Sequence, residues 1–158
     1  MEKTTKKLIW IWHCHHDILL EPLTEPLKNR IEYIKNNKSK NEIELRLKLL
    51  KPVKGKLPDE IIKVGKAYYK AQETSDKVGE AYYKTWEAYI KTGEVSDKAW
   101  EAYYKPWEAY YKMWEAYVKV WEVYDKTLKK YSKEINELHE KECPNCPWQN
   151  GTIFSNKI

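Results

Sequence analysis

A seven-residue repeat fills half of this chain and constrains its fold more than any other feature. From Trp100 the sequence reads WEAYYKP, WEAYYKM, WEAYVKV and WEVYDKT, and WEAYIKT begins at Trp86. Extended both ways, the frame gives eleven consecutive heptads from Gly65 to Lys141 without a slip. The first column holds Trp86, Trp100, Trp107, Trp114 and Trp121, with Gly65, Gln72, Gly79 and Gly93 among them and Leu128 and Ile135 after. The fourth column is Tyr almost throughout, from Tyr68 to Tyr131, broken by Ser75 and Ser96. Residues three and four apart share a helix face, so the two columns form one stripe.

The polar columns point the same way. The second is Glu in eight heptads, Glu73 to Glu122, and the sixth is Lys in the same eight, Lys77 to Lys126. Each pair is Glu(i) to Lys(i+4), the orientation that stabilises a helix by roughly 0.2–0.5 kcal/mol. Ala in the third column adds intrinsic propensity. At about 100° per residue, Glu and Lys occupy about 40° of the wheel, and Ala, Tyr, Trp, the seventh residue and the residue after Tyr spread over about 200°. That arc exceeds the seam of a two-stranded coiled coil. The rings are therefore expected to be buried, covered by the N-terminal segment, by other copies, or by both.

Length decides between two arrangements. The 77 residues of the repeat would span about 115 Å as one helix, whereas a compact chain of this size is only about 40 Å across. The repeat is expected to fold back as a bundle, with a protruding rod as the alternative. Thr92-Gly93 fits a helix end and Ser96 a cap. Pro106 is expected to kink its helix without stopping it.

The fold class is mainly α, with a small α+β head. Three segments follow: 1–64, a strand plus helices; 65–141, the repeat; and 142–158, a cysteine knuckle and hairpin packing on the N-terminal strand. The strand is expected over Lys7–His16, a helix from the Thr24 cap to Asn36, and a second from the Ser39 capping box to Leu50. Ile43, Leu45, Leu47 and Leu49 alternate like a strand, but Leu, Glu, Arg and Lys are weak strand formers, which favours helix. Pro52 to Pro58 reads as a turn before the repeat helix.

Histidine and cysteine cluster at the two ends. His13, Cys14, His15 and His16 close the first strand, and His139, Cys143 and Cys146 close the repeat. Cys-Pro-Asn-Cys lets both sulfurs meet one ion, and thiolate with imidazole suits tetrahedral zinc. The expected ligands are Cys143, Cys146 and His139 with one of His13 or His15, which share a face of an extended strand. An Asn150-Gly151 hairpin turn is expected to pair with the first strand and bring its histidines to the knuckle. Such a zinc is structural, because two thiolates and two imidazoles leave no open position.

Charge and motifs bound the function. Residues 65–141 hold 14 basic and 14 acidic side chains, so the net +5 comes from residues 1–64, mainly between Lys35 and Lys56. Lys38, Lys40, Lys48 and Lys54 could hold phosphates, and Trp100, Trp107, Trp114 and Trp121 could stack on bases or a nucleotide-like ligand. A zinc-dependent hydrolase is the other alternative, with Asp17 or Glu142 as a base. The sequence has no Gly-rich phosphate loop or nucleophile elbow, and Cys143 stands where H-E-x-x-H needs its second histidine. The expectation is a non-enzymatic zinc-stabilised repeat protein that binds a protein partner or itself as a homo-oligomer. No apolar stretch approaches a membrane span, and reduced cysteines without a signal sequence suggest the cytoplasm.

Overall fold

A computed structural model describes residues 8–23, 25–92 and 97–154. The elements are β1 (Ile9–Trp12), β2 (Leu20–Leu23), α1 (Leu27–Asn37), α2 (Lys40–Leu49), β3 (Lys51–Pro52), α3 (Asp59–Thr92), α4 (Asp97–Lys130) and α5 (Ser132–Glu142). They form two compact units: Met1–Asp59 with Leu128–Ile158, and Glu60–Thr127. No helix among the described residues is long and apolar enough to cross a membrane.

In the first unit β1 is the centre of a three-stranded antiparallel sheet, order β2-β1-β3. Trp12 faces Leu20 and Lys51 across the two ladders. Ile11, Cys14, Leu23, Ile34 and Leu50 form the buried core, with Leu27, Ile31, Ile43 and Leu47 packed on it from α1 and α2. The strand is shorter than Lys7–His16, and its partners fall where no strand is expected: β2 lies between that strand and Thr24, a stretch with no expected element, and β3 at the start of the expected Pro52–Pro58 turn. The expected Thr24 cap lies outside the described residues; α1 starts behind Pro26. The residues from Ile43 to Leu49 are helical despite their alternation. The Ser39 carbonyl accepts from the amides of Glu42 and Ile43, and Glu42 pairs with the buried Arg46 at 3.0 Å.

The C-terminal hairpin does turn at Asn150-Gly151, both in the left-handed region at φ 52° and 76°, but it does not pair with β1. Its strand-like contact is Ile153 N–H to the carbonyl of His16, in the loop after β1. Both flanks of β1 are already taken by β2 and β3, so the hairpin meets the next available backbone.

In the second unit the repeat folds back, which sets aside the single rod. Tyr82 of α3 meets both Tyr103 and Tyr110 of α4, and Tyr68 meets Tyr117 and Tyr124, so the helices run antiparallel. α3 ends at Thr92, as Thr92-Gly93 suggested; the expected Ser96 cap lies outside the described residues. Helix α4 continues through Pro106.

The seam is built from tyrosine. Tyr82 stacks on Tyr110 at 5.3 Å with planes 7° apart, and Tyr68 stacks on Tyr124 at 4.8 Å and 9°. The hydroxyls of Tyr82 and Tyr103 hydrogen-bond at 3.0 Å, and those of Tyr68 and Tyr117 at 3.1 Å. Tyr68 and Tyr82 thus each stack on one α4 tyrosine and hydrogen-bond the one a heptad before it. The interruptions at Ser75 and Gly79 make room, because both are buried and a Cβ on Gly79 would already touch the Tyr110 ring at 3.4 Å.

The tryptophan column is not in the seam, contrary to the expectation that all the rings are covered. Trp100, Trp107, Trp114 and Trp121 are 53%, 38%, 47% and 47% exposed. Their place inside is taken by the seventh column, where Pro106, Met113 and Val120 are half-buried and Thr127 is buried. Columns four and seven are three or four residues apart and make a complete seam alone. The first column sits about 90° from its centre.

This division predicts an inverted size order. In the dilute single chain, Tyr82→Ala removes a stacked ring and a hydroxyl pair and should cost about 2–3 kcal/mol. Trp107→Ala, though a larger truncation, should cost less than about 1 kcal/mol. Chemical denaturation of the two variants measures the order.

Candidate metal centre

β1 ends at Trp12, and His13 adopts a left-handed backbone, φ 52°, with its amide donating to the Leu19 carbonyl. Strand alternation stops there. His13 turns inward and is 2% exposed, while His15 faces out and bonds Glu21 at 2.7 Å through Nδ1. Helix α5 places His139 one turn before Cys143, whose amide caps the helix on the His139 carbonyl at 2.7 Å. Pro144 and the left-handed Asn145, φ 58°, then make the tight turn in which the Cys146 amide returns to the Cys143 carbonyl at 3.2 Å.

These elements converge. His13 Nε2 lies 2.9 Å from His139 Nε2 and 3.3 Å from Cys146 Sγ. The donor atoms of His13, His139 and Cys143 all lie within 4.8 Å of one another. Bonds of about 2.0–2.3 Å to a tetrahedral ion put neighbouring donors about 3.3–3.8 Å apart. The imidazole pair at 2.9 Å would open by a few tenths of an ångström to seat one, with Cys143 within 4.8 Å of both; the expected ligand Cys146 approaches His13 but is not part of the mutually close group. The group can hold a metal ion, and it ties together residues 126 positions apart.

The electrostatics suit a ligand set better than a packed core. Burial, with help from His139 and Lys51, pushes the His13 pKa down to about 4. Burial also lowers His139, so both rings are neutral and offer lone pairs. Among the described residues His13 Nδ1 has no hydrogen-bond partner, and an ion held at Nε2, the nitrogen that faces His139 and Cys146, would not supply one. Burial raises both thiols, Cys143 and Cys146. A cation among them offsets that cost, and the Trp148 amide directed at Cys146 favours its thiolate. Trp12 and Trp148 wall the cluster, with ring centroids 5.2 Å from His139 and 5.3 Å from His13. A cleft of about 360 Å³ opens beside it, lined by His139, Cys143 and Cys146 with Asn136, Glu140 and Trp148.

Other candidates fall elsewhere. His16 is exposed beside Asp17 at 3.7 Å and faces the Phe154 ring. Cys14, His15 and Glu21 form a second close group. There Glu21 is engaged by both the ring and the amide of His15. Cys14 is a core side chain whose pKa burial and Glu21 push up to about 12. Lys40, Lys48 and Lys54 are exposed, and the Lys38 ammonium lies 5.3 Å over the Tyr33 ring. The basic stretch is less of a patch than it reads, because Arg46 is buried on Glu42.

The residue that sequence reasoning misplaced is Glu142. Instead of serving as a free base, it accepts from Trp12 Nε1 at 2.9 Å, from the Lys54 amide at 3.0 Å and from the Gly55 amide. Burial opposes its ionisation, but these donors outweigh it and hold the carboxyl below its usual range. It pins α5 to β1 and to the loop after β3 at the level of the candidate metal ligands. Gly55 permits this, since a Cβ there would run into Leu138 and the Glu142 carboxylate. Only the i+3 spacing to His139 and adjacency to Cys143 hinted at the role.

Two outcomes follow. His13→Ala should abolish stoichiometric metal in elemental analysis, and His15→Ala should leave it intact. Glu142→Gln should lower unfolding free energy by about 1.5–3 kcal/mol through loss of charge-assisted hydrogen bonds, as read by denaturant titration. Comparison with protein-family models, with curated proteins and with solved structures gives no match for this chain.

Proposed function

We propose that this is a non-enzymatic, zinc-stabilised helical repeat protein that acts as a protein-interaction or self-assembly module. The observation that carries the reading is the row of half-exposed indoles along α4. Monomeric proteins seldom leave contiguous apolar patches beyond a few hundred Å² uncovered, and larger ones mark interaction sites. Zinc is the ion the donor set suits best, since two thiolates and two imidazoles favour tetrahedral zinc. With Cys146 as fourth ligand the site is closed, which fits a structural role. The Glu column next to the exposed aromatic columns argues against a polyanionic ligand, because it repels phosphates where the rings would stack.

Two measurements test the proposal. Elemental analysis should give one zinc per chain. Chelation should raise amide exchange in residues 8–59 and 128–154 while Glu60–Thr127 keeps its protection. Sedimentation of the pure chain, and of the chain added to cell extract, should show mass above 19.1 kDa in at least one setting, lost in Trp107→Gln/Trp114→Gln. A single-chain mass in both settings contradicts the role.

A further inference from the structure

The tyrosine hairpin has two unlike broad faces. Around each helix the columns follow from the seam as Tyr, Trp, the fifth residue, Glu, Lys and Ala, at about 100° per residue. In an antiparallel pair the same column falls on the same side of both helices. The contacts agree, with Trp86 of α3 on Tyr103 at 5.4 Å and Tyr89 on Trp100 at 6.4 Å. One face therefore carries the six rings of α4 from Trp100 to Trp121 with Tyr83 and Trp86 of α3. The other carries the exposed alanines, among them Ala81, Ala88, Ala102 and Ala109. Glu borders the aromatic face on both edges, and Lys borders the alanine face.

We infer that the aromatic face of one hairpin docks on the alanine face of a second copy, so that copies stack in an open-ended series. This rests on the interaction-module reading and names its partner. Charge supports it: stacking brings the Glu border of one copy to the Lys border of the next, whereas two aromatic faces would bring Glu to Glu. Size supports it too, since a row of methyl groups admits large rings without competition for space. Eight rings 38–60% exposed, at about 200 Å² each, present roughly 750 Å², close to the about 800 Å² per partner of a standard interface. Because the two docking faces differ, the contact is heterologous, and repetition by translation does not close.

Complementary blocking of the full-length chain tests the inference by sedimentation velocity. Wild type should grow beyond two chains as concentration rises. A back-blocked variant, Ala102→Arg/Ala109→Arg, and a face-blocked variant, Trp107→Gln/Trp114→Gln, should each sediment as single chains. Their equimolar mixture should give a two-chain complex and nothing larger. The inference is overturned if wild type stays a single chain at millimolar concentration, if it stops at two, or if the back-blocked variant still associates with itself. Circular dichroism and zinc content check that each variant folds, and the wild-type series decides alone if one does not. Association seen only with cell extract overturns stacking while leaving the module reading standing.

Discussion

Two helices packed side by side share one seam, and that seam admits about two columns of each heptad. The repeat offers far more than two columns of apolar and aromatic side chains, so some must remain outside. Tyrosine wins the interior because it can do two things there. Its rings stack at about 5 Å, as Tyr82 does on Tyr110, and its hydroxyls pair across the seam, as Tyr82 and Tyr103 do at 3.0 Å. An indole in the same place would fill more volume, and its single donor N–H could not accept a bond in return. The tryptophans are left at the flank, and the outward character of the hairpin follows from that exclusion.

The other unit solves a different problem. Its strands are four, four and two residues long, too little sheet to be stable alone, and its chain comes from both ends of the sequence. The His13–His139 contact and the nearby thiols join those ends at the point where Glu142 collects N–H donors from β1 and the loop after β3. A metal ion at that junction would replace the contact between two neutral imidazoles with bonds to both. The carboxylate fixes α5 so that His139 and Cys143 arrive in place.

Much of this was legible in the residues. Helix type could be read because Glu(i)–Lys(i+4) pairs and heptad phase are local signals, fold-back because the repeat is too long for a compact chain and Thr92-Gly93 offers a break, and so could the Ser39 start of α2 and the Asn150-Gly151 turn. His139 and Cys143 were legible because one helical turn brings them together without distant help, whereas Cys146 approaches His13 instead of joining their group. The choice of His13 over His15 was hidden, because it depends on a left-handed residue where strand parity was assumed. β2 and β3 were hidden because Leu-Glu-Pro-Leu and Lys-Pro have poor strand propensity and pair only because β1 is there. The inward seventh column was visible in principle: from Ala71 to Thr127 it never carries a charge. Its small, mixed residues carry a weaker signal than the rings beside them.

The central claim is that tyrosines are inside and tryptophans outside in the single chain. The most direct measurement is the effect of a soluble paramagnetic agent on the indole N–H resonances at dilution. The account predicts strong relaxation of Trp86, Trp100, Trp107, Trp114 and Trp121, and none for Trp12, which is fully buried and bonded to Glu142. Repeat indoles as protected as Trp12 in a monomeric sample would contradict it.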